Sequence, residues 1–308
     1  MKRINIAFLL IPVLIFAASL GACSMPGQPG IPAGSPSGAQ TPNGSPAAGD
    51  LTDGNLKSNV ISVEETVLLD RGGIKITLKS FSAEELFGPT FKVQIENNTS
   101  KNVTVQLRDS SVNGVMADTI FSSDVAAGMK ANEEITVVQS DLDIAGIEVI
   151  KDFEFKFHVF DAQTLDTVFD SDIIRITTSA DPSYVQEYNS SGIVILDEKG
   201  IKVTVQKMSS EDSFWGADVY VFIENNTEGD ITVQARDVSV NGFMIDPMFS
   251  SDVAAGKKAY DTITFLESDL EDNGITSVEE ITLSLIVFSA DTLKTIIETQ
   301  PSTVTFGQ

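Results

Sequence analysis

Residues 91–99 read Phe91-Lys92-Val93-Gln94-Ile95-Glu96-Asn97-Asn98-Thr99. Apolar and polar side chains alternate up to Asn97-Asn98, which predicts a β-strand with one inward face that stops at a turn. Its last five residues return as Ile223-Glu224-Asn225-Asn226-Thr227, and Phe121-Ser122-Ser123-Asp124-Val125-Ala126-Ala127-Gly128 returns as residues 249–256. Both pairs stand 128 residues apart, as do Ser111-Val112-Asn113-Gly114 and Ser239-Val240-Asn241-Gly242. Near the start of each copy the offset is 127, Gly73-Ile74 matching Gly200-Ile201, so one residue was gained near positions 208–214. A repeat longer than about 100 residues is a whole domain rather than a solenoid unit.

Each copy reads as consecutive strands. Ile74, Ile76 and Leu78 alternate with Lys75, Thr77 and Lys79; Val103, Val105 and Leu107 follow; Ile135, Val137 and the series Phe153, Phe155, Phe157, Val159 add further inward faces. A last strand is expected from Leu165 to Ile176. Asn113-Gly114 and Asn241-Gly242 tolerate positive φ at both positions and predict type I′ hairpins. Ser268-Asp269-Leu270-Glu271 has the form of a helix capping box with Gly274 at the exit, and Ser140-Asp141-Leu142-Asp143 with Gly146 is its weaker copy. Seven or eight short strands in about 115 residues predict an all-β chain of two tandem immunoglobulin-like β-sandwiches.

The organisation read from the chain is a signal segment over 1–22, a linker over 23–58, and sandwiches over 59–180 and 181–308. Lys2 and Arg3 precede an apolar stretch from Ile4 to Leu20, and small residues lead to Cys23, the one cysteine of the chain. Basic, apolar and small-residue parts in that order make a secretory signal. Pro12 and Asn5 interrupt the stretch, which is short for a comfortable membrane span. Residues 24–50 interleave six prolines with Gly, Ser, Ala and Gln and carry no charge before Asp50. Such a composition buries no core and predicts an extended tether, with a reach on the order of 30 Å.

Charge excludes one class of partner. The chain has 20 Lys and Arg against 44 Asp and Glu, and loss of Lys2 and Arg3 with the signal takes the net charge from −24 to −26. Phosphate backbones repel so acidic a protein, so nucleic acid is not an expected partner. With Cys23 alone, no disulfide forms within a chain and stability rests on core burial.

Leu20-Gly21-Ala22-Cys23 resembles the lipobox of bacterial lipoproteins, and the two-copy phrases Ile-Glu-Asn-Asn-Thr, Ser-Val-Asn-Gly and Ser-Asp-Val-Ala-Ala-Gly over residues 60–308 resemble surface lipoproteins that carry immunoglobulin-like repeats. The resemblance implies diacylation of Cys23 after cleavage, a membrane anchor on the extracytoplasmic face, and no catalytic residue. A Gram-positive cell membrane is the favoured address, although Ser24 is also compatible with an outer-membrane destination. The function expected is a non-enzymatic binding or envelope-accessory protein with an envelope protein or glycan as partner.

Candidate residues are few. His158 is the sole histidine, its counterpart is Ile286, and on a strand between Phe157 and Val159 it reads as a surface residue. No zinc spacing, phosphate loop or dinucleotide fingerprint is present. Phe214-Trp215 is the expected contact surface, since loops at sandwich ends carry recognition and aromatics supply contact area, with packing over a sheet edge as the competing reading. Asp124 and Asp252 sit in the most alike polar segment of the two copies, either lining a ligand surface or bonding nearby backbone in a turn. Asp269, Glu271, Asn273, Gly274 and Glu280 occupy positions one, three, five, six and twelve of an EF-hand-like pattern, which makes a calcium-stabilised spacer the alternative reading. Glu271 stands where a shorter side chain is usual, Ile275 falls one place early, and Ala145 removes a ligand in the first copy. No other cofactor is implied. The series Asp161, Asp166, Asp170 and Asp172 reads as an exposed edge.

Overall fold

A computed structural model describes residues 61–209 and 215–307. The signal segment, Cys23, the whole linker and Phe214 therefore lie outside the described residues. In the first copy the elements are β1 (Thr66–Arg71), β2 (Ile74–Ser82), β3 (Thr90–Asn97), β4 (Val103–Val112), β5 (Val115–Met116), β6 (Thr119–Ile120), β7 (Ser122–Val125), β8 (Lys130–Val137), α1 (Gln139–Ile144), β9 (Asp152–Asp161), β10 (Thr167–Asp170) and β11 (Ile174–Thr177). The second copy follows with β12 (Ile193–Glu198), β13 (Ile201–Ser209), β14 (Gly216–Asn225), β15 (Ile231–Val240), β16 (Phe243–Met244), β17 (Ser250–Val253), β18 (Lys258–Leu266), α2 (Glu267–Asp272), β19 (Glu280–Ser289), β20 (Thr295–Glu298) and β21 (Ser302–Thr305).

In the first copy β1-β2-β3-β8 form one sheet, and β4 lies between β7 and β9 in the other, with β10 and β11 on the far side of β9. The second copy repeats the plan as β12-β13-β14-β18 against β17, β15, β19, β20 and β21. The chain passes from sheet to sheet between β3 and β4 and between β7 and β8, the crossing connections of an immunoglobulin-like sandwich. The fold is thus all-β with two such sandwiches in tandem.

The alternating residues fill the space between sheets. Ile74, Ile76, Phe91, Ile95, Val105, Ile135, Phe153, Phe157 and Val159 are wholly buried in the first core, and Phe91 stacks on Phe153 at 5.0 Å between ring centroids. A second core gathers Ile201, Val203, Val219, Ile223, Val233, Phe265, Ile281 and Val287. Both Asn-Gly hairpins form as predicted, with φ of 50° at each Asn and 87° and 85° at the glycines. The strand expected from Leu165 to Ile176 is divided. Leu165 takes a φ of 62° in the turn before β10, and Ser171, whose hydroxyl accepts from Phe157 N–H at 2.8 Å, breaks the edge before β11 resumes.

Two further readings are corrected. Neither short helix begins with a capping box: α1 and α2 have Val138 and Leu266 at their N-caps and no side-chain cap bond. Backbone from a distant loop takes the free amides, Gln139 N–H donating to Phe87 O at 3.1 Å and Glu267 N–H to Trp215 O at 2.7 Å. That approach needs Gly88 and Gly216, whose φ values are 130° and 148°, since a Cβ on Gly216 would run into the carbonyl of Phe265. The helix exits are as predicted, with Gly146 and Gly274 at φ of 63° and 68°.

Asn97 and Asn225 are more than turn residues. Each is wholly buried. Asn97 Nδ2 donates to Lys101 O and Val125 O at 2.8 and 2.9 Å, while its Oδ1 accepts from the N–H and hydroxyl of Thr99. Asn225 does the same to Gly229 O and Val253 O, adding Ala254 O, with Thr227 donating back. One side chain thereby fastens the β3–β4 turn to the end of β7, and its copy repeats the joint.

Candidate functional site

The described residues belong to one compact unit, and the two sandwiches meet within it. The Asn113-Gly114 hairpin of the first copy lies against β18 of the second. Lys258 N–H donates to Gly114 O at 3.0 Å, and Val115 pairs with Lys258 in parallel, which joins sheets of the two copies edge to edge. Met116 packs on the second core, and Tyr260 packs on the first. The connecting segment is fastened rather than loose. Lys151 Nζ donates to the carbonyls of Pro182 and Tyr184, Tyr188 hydroxyl donates to Asn113 O at 2.8 Å, and Lys258 Nζ lies 4.6 Å from the Tyr188 ring centroid.

Charge locks the same joint. Glu154 of β9 receives Lys257 from the second copy and Arg175 from its own sheet. Burial pushes its carboxyl up, but the two hydrogen-bonded cations outweigh burial and hold it below the usual carboxylate range. Lys156 bridges Asp109 at 2.7 Å and Asp230 of the second copy at 3.3 Å. Its amine is raised, chiefly by the bond to Asp109, against the opposing effect of burial. The β9 face that alternation leaves outside the first core is therefore largely covered by the second sandwich.

Between the sandwiches opens a cleft of about 760 Å³. The first copy lines it with Arg108, Asp109, Met116, Asp118 and Asp141, and the second with Ser251, Asp252, Tyr260, Asp261 and Thr262. Asp141 accepts Asp118 N–H at 2.7 Å; burial pushes its carboxyl up, the Asp118 N–H pulls it down less, and the Asp118 charge adds to the rise. Asp261 is likewise raised, first by burial, against hydrogen bonds from Ser251 and Thr262 N–H, with Asp118 and Asp141 pushing it further. Negative charge thus converges from both copies in a concave, partly desolvated place.

One stability consequence follows from the sign of that shift. A carboxyl raised by folding binds its proton more tightly in the native state, so its contribution is present at low pH and lost as pH rises through the native value. Asp261→Asn imitates the neutral form and retains an acceptor for Thr262 N–H. At pH 7 the variant should melt above the parent, and the difference should shrink as the pH falls below the carboxylate range in a calorimetric series.

The sequence candidates separate. Asp252 lines the cleft and Asp124 does not. Both lie on strands rather than in turns, accepting from Thr232 and Thr104 hydroxyls at 2.5 Å across the β15–β17 and β4–β7 pairs. Trp215 is 59% exposed and stands outside the cleft, its carbonyl holding the start of α2. Asp269 and Glu271 sit on that helix, Asn273 Nδ2 is spent on Asp269 O at 2.8 Å, and Glu280 begins β19. Helical backbone over 267–272 does not wrap these side chains around a point as an EF-hand loop does. Among the described residues no group of three or more His, Cys, Asp or Glu side chains gathers to hold a metal.

His158 is not a surface residue. It is 6% exposed, its Nδ1 stands 2.6 Å from Asp170 Oδ1, and its ring lies 5.3 Å from that of Phe160. Among the described residues no hydroxyl or thiol hydrogen-bonds this ring. Asp161 is also buried, binding Lys101 Nζ at 2.9 Å and the N–H groups of Gln163 and Thr164, which hold its carboxyl down to about 2.

Sequence reading passed over the cleft residues Asp118, Tyr260 and Asp261, and read Asp141 only within the capping-box and calcium-loop patterns. A usable signal was present in the duplication, because the joint is where the copies differ: Glu154, Lys156, Asp230, Lys257 and Tyr260 face Thr282, Ser284, Asn102, Met129 and Asn132 at the equivalent positions.

No protein-family model matches the chain, and no curated protein does. Among solved structures it is similar to the YadV chaperone, at 12% identity over 70% of this chain and 92% of that one, with a TM-score of 0.22. It is also similar to a Salmonella enterica SafA pilin in complex with the SafB chaperone, at 11% identity over 70% and 89%, TM-score 0.21. A red sea bream transglutaminase shares 13% identity over 77% of this chain and 31% of its own length, TM-score 0.20. Superpositions this loose carry no argument, and the fold stands on the strand order described above.

Proposed function

We propose that this chain is a lipid-anchored, extracytoplasmic, non-enzymatic binding protein, held to the membrane through diacylglycerol on Cys23, and that the cleft between its sandwiches receives a cationic group of an envelope protein or glycan. The lipobox-like Leu20-Gly21-Ala22-Cys23 supports the anchor. The observation that carries the binding role is the cleft itself, a 760 Å³ concavity built jointly by both copies and held open by a locked joint. A concave place with a few converging polar groups is where ligands bind. A cation entering beside Asp141 and Asp261 favours the charged form of both carboxyls, against the burial that raises them and the smaller repulsion that adds to it.

The test is calorimetric titration of a short lysine-rich peptide into the full chain and into its Asp141→Asn, Asp261→Asn variant. Saturable binding that weakens with salt and falls by about tenfold or more in the variant, a loss of roughly 1.4 kcal/mol, supports the reading. Equal binding by both proteins removes the cleft as the site. Calcium alone, titrated in parallel, separates this reading from the metal-stabilised spacer.

A further inference from the structure

The duplication supplies a template for a second joint. In the first copy, hairpin Asn113–Met116 is met by the second sandwich: Val115 pairs with Lys258, Gly114 O accepts Lys258 N–H, and Met116 packs on the second core. In the second copy the equivalent hairpin, Asn241-Gly242-Phe243-Met244, has the same backbone, with φ of 50° and 85° and the same pairing of Val240 with Phe243 and Ser239 with Met244. Its apolar side chains are in water, Phe243 48% and Met244 66% exposed. The surface equivalent to the one that receives the first hairpin is also open. Lys130 of β8 stands where β18 has Lys258, and Met129, in place of Lys257, is 60% exposed.

We propose that a second copy of this chain covers the Phe243-Met244 hairpin with the Met129–Asn132 end of its first sandwich, repeating between chains the joint that exists within each chain. Charge across such a contact is consistent. Inside the chain the joint sets Glu154 against Lys257 and Lys156 against Asp230. At the equivalent positions between chains it sets Thr282 against Met129 and Ser284 against Asn102. Both members of each ion pair that crosses the joint are replaced together, which avoids the cost of burying one charge without its partner, and Asp237, the counterpart of Asp109, is exposed. Asn102 and Asp230 keep their common structural task, each accepting the following loop amide, Ala127 N–H at 3.0 Å and Ala255 N–H at 2.8 Å. The contact is head to tail, uses two different surfaces, and extends beyond two chains.

Cysteine cross-linking tests it. Phe243 and Lys130 are the equivalents of the paired Val115 and Lys258, and strand partners stand within the roughly 4.4–6.8 Å Cα separation that a disulfide spans. Phe243→Cys and Lys130→Cys are introduced singly into full chains carrying Cys23→Ser, which removes the natural thiol. Under mild oxidation the mixture of the two chains should yield a disulfide-linked pair, each chain alone should remain single, and the doubly substituted chain should give a ladder. The parent chain should gain mass with concentration in sedimentation, and Phe243→Asp, at an exposed position, should abolish that gain and leave the melting temperature unchanged. No cross-link in the mixture overturns the proposal. So does a Phe243→Cys chain that pairs with itself as readily, which marks a symmetric contact. Binding of phosphatidylglycerol vesicles by a strictly single chain, lost in Phe243→Asp, would assign the hairpin to lipid and overturn it as well.

Discussion

Replacing Asn225 with alanine is expected to destabilise the protein by about 3–5 kcal/mol, because the carbonyls of Gly229, Val253 and Ala254 lose a buried donor and each unsatisfied group costs roughly 1–3 kcal/mol. Asn225→Asp is expected to lose about as much, since it keeps the acceptor for Thr227 while losing both donors and adding charge to a site with no exposure. Urea unfolding read at Trp215 is the measurement, and that fluorescence reports the second sandwich directly, Trp215 being the one tryptophan. Asn97→Ala should cost a similar amount in the first sandwich, where two carbonyls are served instead of three. A loss under about 1 kcal/mol in either would mean that water replaces the amide, and that the side chain is a turn residue after all.

Glu154→Ala is the second large effect. Lys257, whose side chain is 16% exposed, is left without its carboxylate in the joint, whereas Arg175 at 62% can return to water. Breaking one side of a buried pair costs about 3–5 kcal/mol. Because the pair spans the two copies, the loss should appear as separation of one melting transition into two, with Glu154→Gln intermediate. The sign with pH is set by the lowered carboxyl. A group depressed by folding stabilises above its unfolded value, near 4.3 for glutamate, and that contribution is lost as pH falls through the native value. Acid should therefore loosen the joint before either sandwich unfolds. Proteolysis of the connecting segment at residues 181–192, followed from neutral to acid pH, reads this opening. A single unchanged transition in Glu154→Ala would show that the hairpin contact alone holds the copies together.

Much of the architecture is legible in the chain because its period is local. Alternation at Ile74, Phe91 and Phe153, and Asn-Gly between apolar flanks, each need only their neighbours to be read. The readings that failed depended on partners far along the chain. Asn97 resembled a turn signal because its acceptor Val125 lies 28 residues away. Ser268 to Glu271 resembled a capping box because the competing acceptor, Trp215 O, belongs to another strand's entrance. His158 and Glu154 fell on the face of β9 that alternation puts outside. Lys257 of the second sandwich closes over Glu154, while His158 is held by Asp170 and Phe160 of its own sandwich. The cleft was illegible for the same reason, since Asp141 and Asp261 come from different copies and lie 120 residues apart.

The parallel pairing of Val115 with Lys258 has an evolutionary consequence. Once the first hairpin inserted into its sister, and Glu154 and Lys257 became complementary, neither copy remained interchangeable with the other. A first copy alone would present Met116 and a Glu154 without Lys257 to water, and a second copy alone would present Lys257 and Tyr260. Recombination that deletes or reorders one repeat, easy between sequences so alike, is penalised by the joint they share. Selection acts on the pair as a single heritable part.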